Sequence, residues 1–317
     1  MKKRALINIL VAASFLMLSI SPADTGLYAE SPVALGAGLT HSPKKDECLY
    51  TMNVSVRPLL FWIGWKNVGG GRIAWTEEPD GKNGLELLIG SDPLRAPRRI
   101  NRWGYIAEQI SGSNAELIGI MTQSDEQTVK QASSSIDKSE TKHAFKAIRC
   151  RLTGGNAQSS TIQLHFNEDF TYRDATSLLN LIPSSGSSVR QLRIPAGTDP
   201  GFLYAVKAMI HESVEGYHRS GELIGLKPHQ YVYNASLFAL SIVKSKLLET
   251  AVVNGHEYRN LIESRFEAHN TATDEITKFS VTYGTDAEIL KVPVRIIYQP
   301  RWWFRAELLL DENARMI

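Results

Sequence analysis

A rhythm that starts at Cys48 and runs almost to the end of the chain restricts the fold most. Short stretches alternate apolar and polar residues, and glycine, asparagine or proline interrupts them about every ten residues. Leu49–Val56 sets the pattern, with Tyr50, Met52, Val54 and Val56 against Thr51, Asn53 and Ser55. A period of two sends successive side chains to opposite faces, so each run is a strand with one buried face. Such strands must find neighbours, and turns this short favour antiparallel ones.

Leu60–Trp65 and Arg72–Trp75 flank Val68-Gly-Gly-Gly71 and read as a hairpin. Glu86–Ile89 follows the Asp80-Gly81 turn. Tyr105–Ile110 and Glu116–Met121 flank Ser111-Gly-Ser-Asn114, and His143–Leu152 and Ser160–Phe166 are joined by Thr153-Gly-Gly-Asn156. Nearer the C-terminus, Tyr231–Val253 is one bent strand or two shorter ones, turned at Asn254-Gly255. His256–Ala268 pairs back. Ile276–Tyr283, Ile289–Tyr298 and Arg301–Leu310 then form a meander.

Helices interrupt this in three places. Ser124-Asp-Glu-Gln127 is a capping box opening a helix to about Ser134, ahead of the polar tract Ser135–Lys142. Asp174–Leu181 is a short helix stopped by Pro183. Thr198-Asp-Pro-Gly201 combines a cap residue with a first-turn proline. After it, Phe202, Val206, Met209, Ile210, Val214 and Tyr217 form the apolar stripe of an amphipathic helix over Pro200–Tyr217. Ser213 falls within the stripe, where its hydroxyl can bond back to the Met209 carbonyl. The fold class is therefore mainly β with a few helices (α+β), its long antiparallel strands in open or half-barrel sheets.

Met1-Lys-Lys-Arg4, the apolar run Ala5–Ile20, and Ser21 and Ala23 at −3 and −1 form a secretory signal peptide within residues 1–29. A second cut after Ala29 is less well formed. A retained anchor helix is the alternative, opposed by the short run and by Pro22. Lys+Arg number 35 and Asp+Glu 33, and Lys2, Lys3 and Arg4 against Asp24 supply the whole excess. The mature chain is thus neutral overall, which argues against a nucleic-acid partner. We expect a flexible lead-in over 30–47 and a β-rich part with one helix over 48–169. A helix plus antiparallel half-barrel spans 170–317, either continuous with the preceding part or separate. No transmembrane segment is expected in the mature chain, whose destination is the periplasm or the exterior.

The succession Val252-Val-Asn-Gly-His-Glu-Tyr258, Val292-Pro-Val-Arg-Ile296 and Trp302–Leu310, with Arg173-Asp-Ala-Thr-Ser-Leu178, resembles an uncharacterised family of bacterial periplasmic β-proteins. The resemblance covers Phe170–Leu310. It implies a half-open antiparallel barrel, similar in outline to lipoprotein carriers, and transfers no catalytic residue.

Four sets of residues are candidates for chemistry. Export favours a bond between the only cysteines, Cys48 and Cys150. It would close a loop of about 100 residues, worth about 4–5 kcal/mol in chain entropy. Two buried free thiols are the alternative. His211, Glu215 and His218 share a helical face at spacings suited to metal ligation, with Tyr204 beside them. At about 100° per residue, however, the apolar stripe centres near roughly 45° and this set near roughly 190°, toward solvent. Arg95, Arg98, Arg99 and Arg102 follow Ser91-Asp-Pro93 and could bind phosphate such as a lipid headgroup or endotoxin. Glu77, Glu78, Glu86 or Glu108 could neutralise them instead. Trp302 and Trp303, adjacent on a strand, would face opposite ways and leave one for a ligand surface. No Gly-x-Ser-x-Gly elbow or P-loop occurs, and no cofactor is expected. The expected function is a non-enzymatic binder, carrier or envelope factor whose β surface takes an apolar or amphiphilic ligand, with lipid, endotoxin or an envelope protein as partner. The alternative is a secreted hydrolase with a dispersed or metal-dependent site around His211, Glu215 and His218.

Overall fold

A computed structural model describes residues 44–57, 61–78, 81–122, 143–166, 170–183, 186 and 188–311. The segments expected to be a signal peptide and a flexible lead-in, up to residue 43, and the helix expected at Ser124–Ser134 with its following tract lie outside the described residues. Fourteen strands form among those described. They are β1 (Lys44–Val56), β2 (Ile63–Glu77), β3 (Lys82–Ser91), β4 (Trp103–Ser111), β5 (Asn114–Thr122), β6 (His143–Thr153) and β7 (Asn156–Phe166). Then come β8 (Ser188–Arg193), β9 (His229–Tyr233), β10 (Ser236–Val253), β11 (His256–Asn270), β12 (Ile276–Gly284), β13 (Pro293–Arg301) and β14 (Phe304–Leu310). One α-helix, α1 (Phe202–Ser220), and 3₁₀ turns at Pro97–Arg99, Tyr172–Asp174 and Ser177–Leu181 complete the described elements. The chain is mainly β, as its alternation requires.

All fourteen strands share one antiparallel sheet in the order β8-β7-β6-β5-β4-β3-β2-β1-β14-β13-β12-β11-β10-β9. Strands consecutive in the chain are neighbours in the sheet except β8 and β9, and β1 pairs in addition with β14, Met52 opposite Leu308. Each half is therefore a meander, and β8 and β9 are the two edges. A single apolar cluster joins α1 to Ile106 of β4 and Ile148 of β6, and also to Leu240, Phe266, Phe279 and Tyr298 of β10–β13. Strands so far apart in order can meet one helix only if the sheet curls around it. The helix thus occupies a concave face in a half-open barrel.

Among the described residues no ladder closes the seam between β8 and β9. Instead, the β9–β10 corner tucks against β5–β7: Val232 and Ala235 pack with Leu117, Cys150, Leu152 and Ala157. Ser159 also donates to Asn234 Oδ1 at 2.7 Å. The opposite face of β3–β7 carries Leu88, Trp103, Tyr105, Phe145 and Ile162, covered by Ala175, Leu178 and Ile182 of the 3₁₀ segment.

Three expectations need correction. Gly69–Gly71 is no turn but the middle of one long β2, paired with Met52–Tyr50 on one side and Ser91–Ile89 on the other. Glycine is required there for space. Gly70 and Gly90 are cross-strand neighbours, and a Cβ on Gly70 would come within 3.3 Å of the Tyr172 hydroxyl. One on Gly90 would overlap Trp103 Cβ at 2.6 Å. Second, Asp174–Leu181 forms 3₁₀ turns, not an α-helix. The Thr171 N–H, donating to the Asp174 carboxylate at 2.8 Å, starts the first of them. Third, the lead-in ends early, because Lys44–Glu47 already belongs to β1 and pairs with Glu77–Ala74. Tyr231–Val253 resolves into two strands, turned by Asn234 and Ala235, both at positive φ.

Candidate functional site

The stripe predicted for α1 is its packed face. Phe202, Met209, Ile210 and Val214 are buried, and Val206 and Tyr217 pack partly buried against the same cluster. Ser213 is buried too, but its hydroxyl accepts from Tyr283 at 2.9 Å. Tyr283 shares a further hydrogen bond with Ser264, which meets Ser245, each at 2.8 Å. This chain of hydroxyls links α1 to β12, β11 and β10.

The N-terminus of α1 has no side-chain cap of its own, since its cap residue is Gly201. Glu108 of β4 takes that role from across the barrel. Its two carboxylate oxygens accept the N–H groups of Leu203 and Tyr204 at 2.8 and 2.9 Å. Gly201 lets it approach, because a Cβ there would lie 2.6 Å from those oxygens. Only 1% of Glu108 is exposed. Burial pushes its carboxyl up to about 7, against the pull of the Leu203, Tyr204 and Phe202 N–H groups, and Asp199 nearby adds to the rise.

His229 of β9 lies by the same end of the helix. One ring nitrogen is 2.7 Å from Asp199 and the other 3.2 Å from Glu212 of α1. Burial works against the charged ring, but hydrogen bonds to Asp199 and Glu212 outweigh it and raise its pKa. A histidine serving a nucleophile needs one nitrogen for the carboxylate that orients it and the other for the nucleophile. Here carboxylates occupy both. The arrangement fastens the helix between the strand and the preceding loop.

The sequence-derived sets fare differently. His211 and Glu215 do converge, but on Lys291 Nζ, at 2.9 and 2.8 Å. That ammonium, with its hydrogen bond the largest cause, holds the Glu215 carboxyl below its ordinary value. His218 turns away to the Thr285 carbonyl at 3.0 Å. Among the described residues no group of three or more His, Cys, Asp or Glu side chains is arranged to hold a metal ion.

The expected Cys48–Cys150 bond is not formed; both cysteines are free. Cys48 lies on β1 and Cys150 on β6, with four strands between them in the sheet. Export suggested pairing, but strand order sets the distance. Burial raises the Cys48 thiol and pushes that of Cys150 up to about 11. Thiol titration of unreduced protein should therefore be slow in the native state and return two thiols after denaturation. A count of zero would restore the bond.

In the arginine set, Arg95 and Arg173 reach the buried Asp92 carboxylate at 3.7 and 3.4 Å. Arg99 is exposed and Arg102 half-buried, and the Arg98 side chain lies outside the described residues. None of the four glutamates proposed to neutralise the set is shown doing so. Glu86 binds Arg72 at 2.6 Å, Glu77 and Glu78 meet Lys207 and Lys82, and Glu108 caps α1. Trp302 and Trp303 occupy the turn between β13 and β14, not a strand. Trp302 is 65% exposed, while Trp303 packs inward edge-on to Phe304.

The sequence passed over two features. Glu108 counted only as a neutralising charge, because its partners lie 95 and 96 residues away. Phe61, 63% exposed just before β2, lies at the same end of the sheet as the Trp302 turn, a placement that only the β14–β1–β2 order reveals.

No family model matches the sequence, and no curated protein matches it. Among solved structures it is similar to a β-barrel-like protein of domain of unknown function DUF1849 from Brucella abortus. Identity is 6% and the TM-score 0.37, over 85% of this chain and 95% of that one. No helix among the described residues is long and apolar enough to cross a membrane.

Proposed function

We propose that the protein is an exported, non-enzymatic binding or carrier protein whose concave β face receives an apolar or amphiphilic ligand. The observation that carries this reading is the seat of α1. That face is lined by side chains such as Leu240, Phe266, Phe279 and Tyr298, and a single helix covers it. Besides apolar contact, discrete polar ties hold the helix: the Glu108 cap, the His229 bridge and the Ser213–Tyr283 bond. Displacing it would present a large apolar surface of the kind that ligand sites use. The titratable groups around the seat are engaged in holding the helix, which speaks against a hydrolytic role.

Native mass spectrometry of protein purified from its own membranes tests the proposal. A non-covalent adduct of lipid or another amphiphile is the expected result, released by delipidation and restored on adding back the extract. Protein that carries no adduct, and that leaves the fluorescence of an apolar naphthylamine probe unchanged, would overturn it.

A further inference from the structure

The end of the sheet where β1 meets β2 and β13 meets β14 exposes several large apolar side chains. Val56 pairs with Ile63 on one side and Phe304 on the other. The Arg57 N–H donates to the Trp303 carbonyl at 2.7 Å, so the strand ends are tied across the two connections. From this end Phe61, Trp62, Ile63 and Trp302 reach solvent, with Leu94, 89% exposed, on the loop after β3. That loop is tied to β2 by the Asp92 N–H, which donates to the Val68 carbonyl, and its Ala96 and Ile100 pack in the same apolar cluster as Val56, Trp65, Trp303 and Phe304. The segments that carry the exposed apolar groups are therefore anchored in a packed apolar cluster.

The charge around them is one-sided. Arg57, Lys66, Arg95 and Arg99 belong to these same segments. The one acidic residue of the 92–102 loop, Asp92, is buried and faces Arg95 and Arg173. Tryptophan and phenylalanine sit well at the boundary of headgroups and acyl chains. Lysine and arginine beside them gain from the negative potential of anionic lipid. A protein partner would need a matching apolar pocket, whereas a bilayer accepts side chains that project separately.

We infer that this end of the barrel docks on the surface of a bilayer rich in anionic phospholipid. Phe61, Trp62, Leu94 and Trp302 enter the interface, and the neighbouring cations lie against phosphates. The docking is independent of whatever the concave face holds.

Vesicles of phosphatidylcholine, alone or mixed with phosphatidylglycerol, test it by co-sedimentation and tryptophan emission. Binding to the mixed vesicles with a blue-shifted emission is expected, weakening as salt is raised. Trp62→Ala with Trp302→Ala should weaken it by at least about tenfold, and Trp302→Lys alone, in an exposed turn, should act in the same direction with the fold intact. Arg95→Glu with Arg99→Glu should abolish the preference for phosphatidylglycerol. Absence of binding to either vesicle, equal binding to both, or unchanged binding in the tryptophan variants would each overturn the inference.

Discussion

Met209→Ala should destabilise the protein by about 2–5 kcal/mol, the range for truncating a fully buried large side chain, while His211→Ala should cost under about 0.5 kcal/mol. Two residues apart on α1, they test both faces of the helix. Met209 is fully buried within the cluster that joins α1 to both halves of the sheet. Its loss leaves a void that neither half can close alone, because each is held by its own ladder. His211 is exposed, and its contact with Lys291 can be replaced by water. Denaturant unfolding of the two variants measures the difference. Equal losses would mean that α1 is not seated as described.

The α1 stripe was legible because a helix that buries one face writes the period 3.6 into its sequence, and Phe202, Met209, Ile210 and Val214 keep that period. The strands were legible for the corresponding reason, down to the Asn254–Gly255 turn. Ser188–Arg193 escaped notice since an edge strand with exposed Val189 and Arg190 carries no alternation to read. Gly69–Gly71 misled because glycine serves a turn and a close approach alike, and only the groups packed against it, such as the Tyr172 ring at Gly70 and the Leu88 carbonyl at Gly71, reveal which. The Thr198-Asp-Pro-Gly201 signal placed the helix start within two residues, yet its cap comes from β4. The same holds for Lys291 between His211 and Glu215: a spacing on one helix says nothing of what another loop delivers to it.

Glu108 should make the protein lose stability as pH rises from about 4.5 to about 7. Unfolded, the carboxyl titrates near its ordinary 4.5, whereas in the fold burial lifts it to about 7. Between those values the folded chain holds the extra proton, so each step up in pH favours unfolding. At 1.36 kcal/mol per unit, the whole window amounts to about 3 kcal/mol. His229 acts in the same direction: its raised pKa contributes stability below about 6.5 that is lost as pH rises through the folded value. Facing Glu108 are the backbone donors of the first turn of α1, Asp199 at a distance, and Tyr231 and Tyr233, whose phenols burial also raises, so no cation compensates among these groups. Glu108→Gln removes the titration and keeps one oxygen for a helix N–H. Unfolding free energies from pH 4.5 to 8 should then fall less steeply in the variant than in the parent by about 3 kcal/mol across the window, leaving the variant relatively more stable at pH 8 than at pH 5. Parallel curves would show that the Glu108 carboxyl is not held away from water, and that the cap on α1 is looser than its hydrogen bonds to Leu203 and Tyr204 describe.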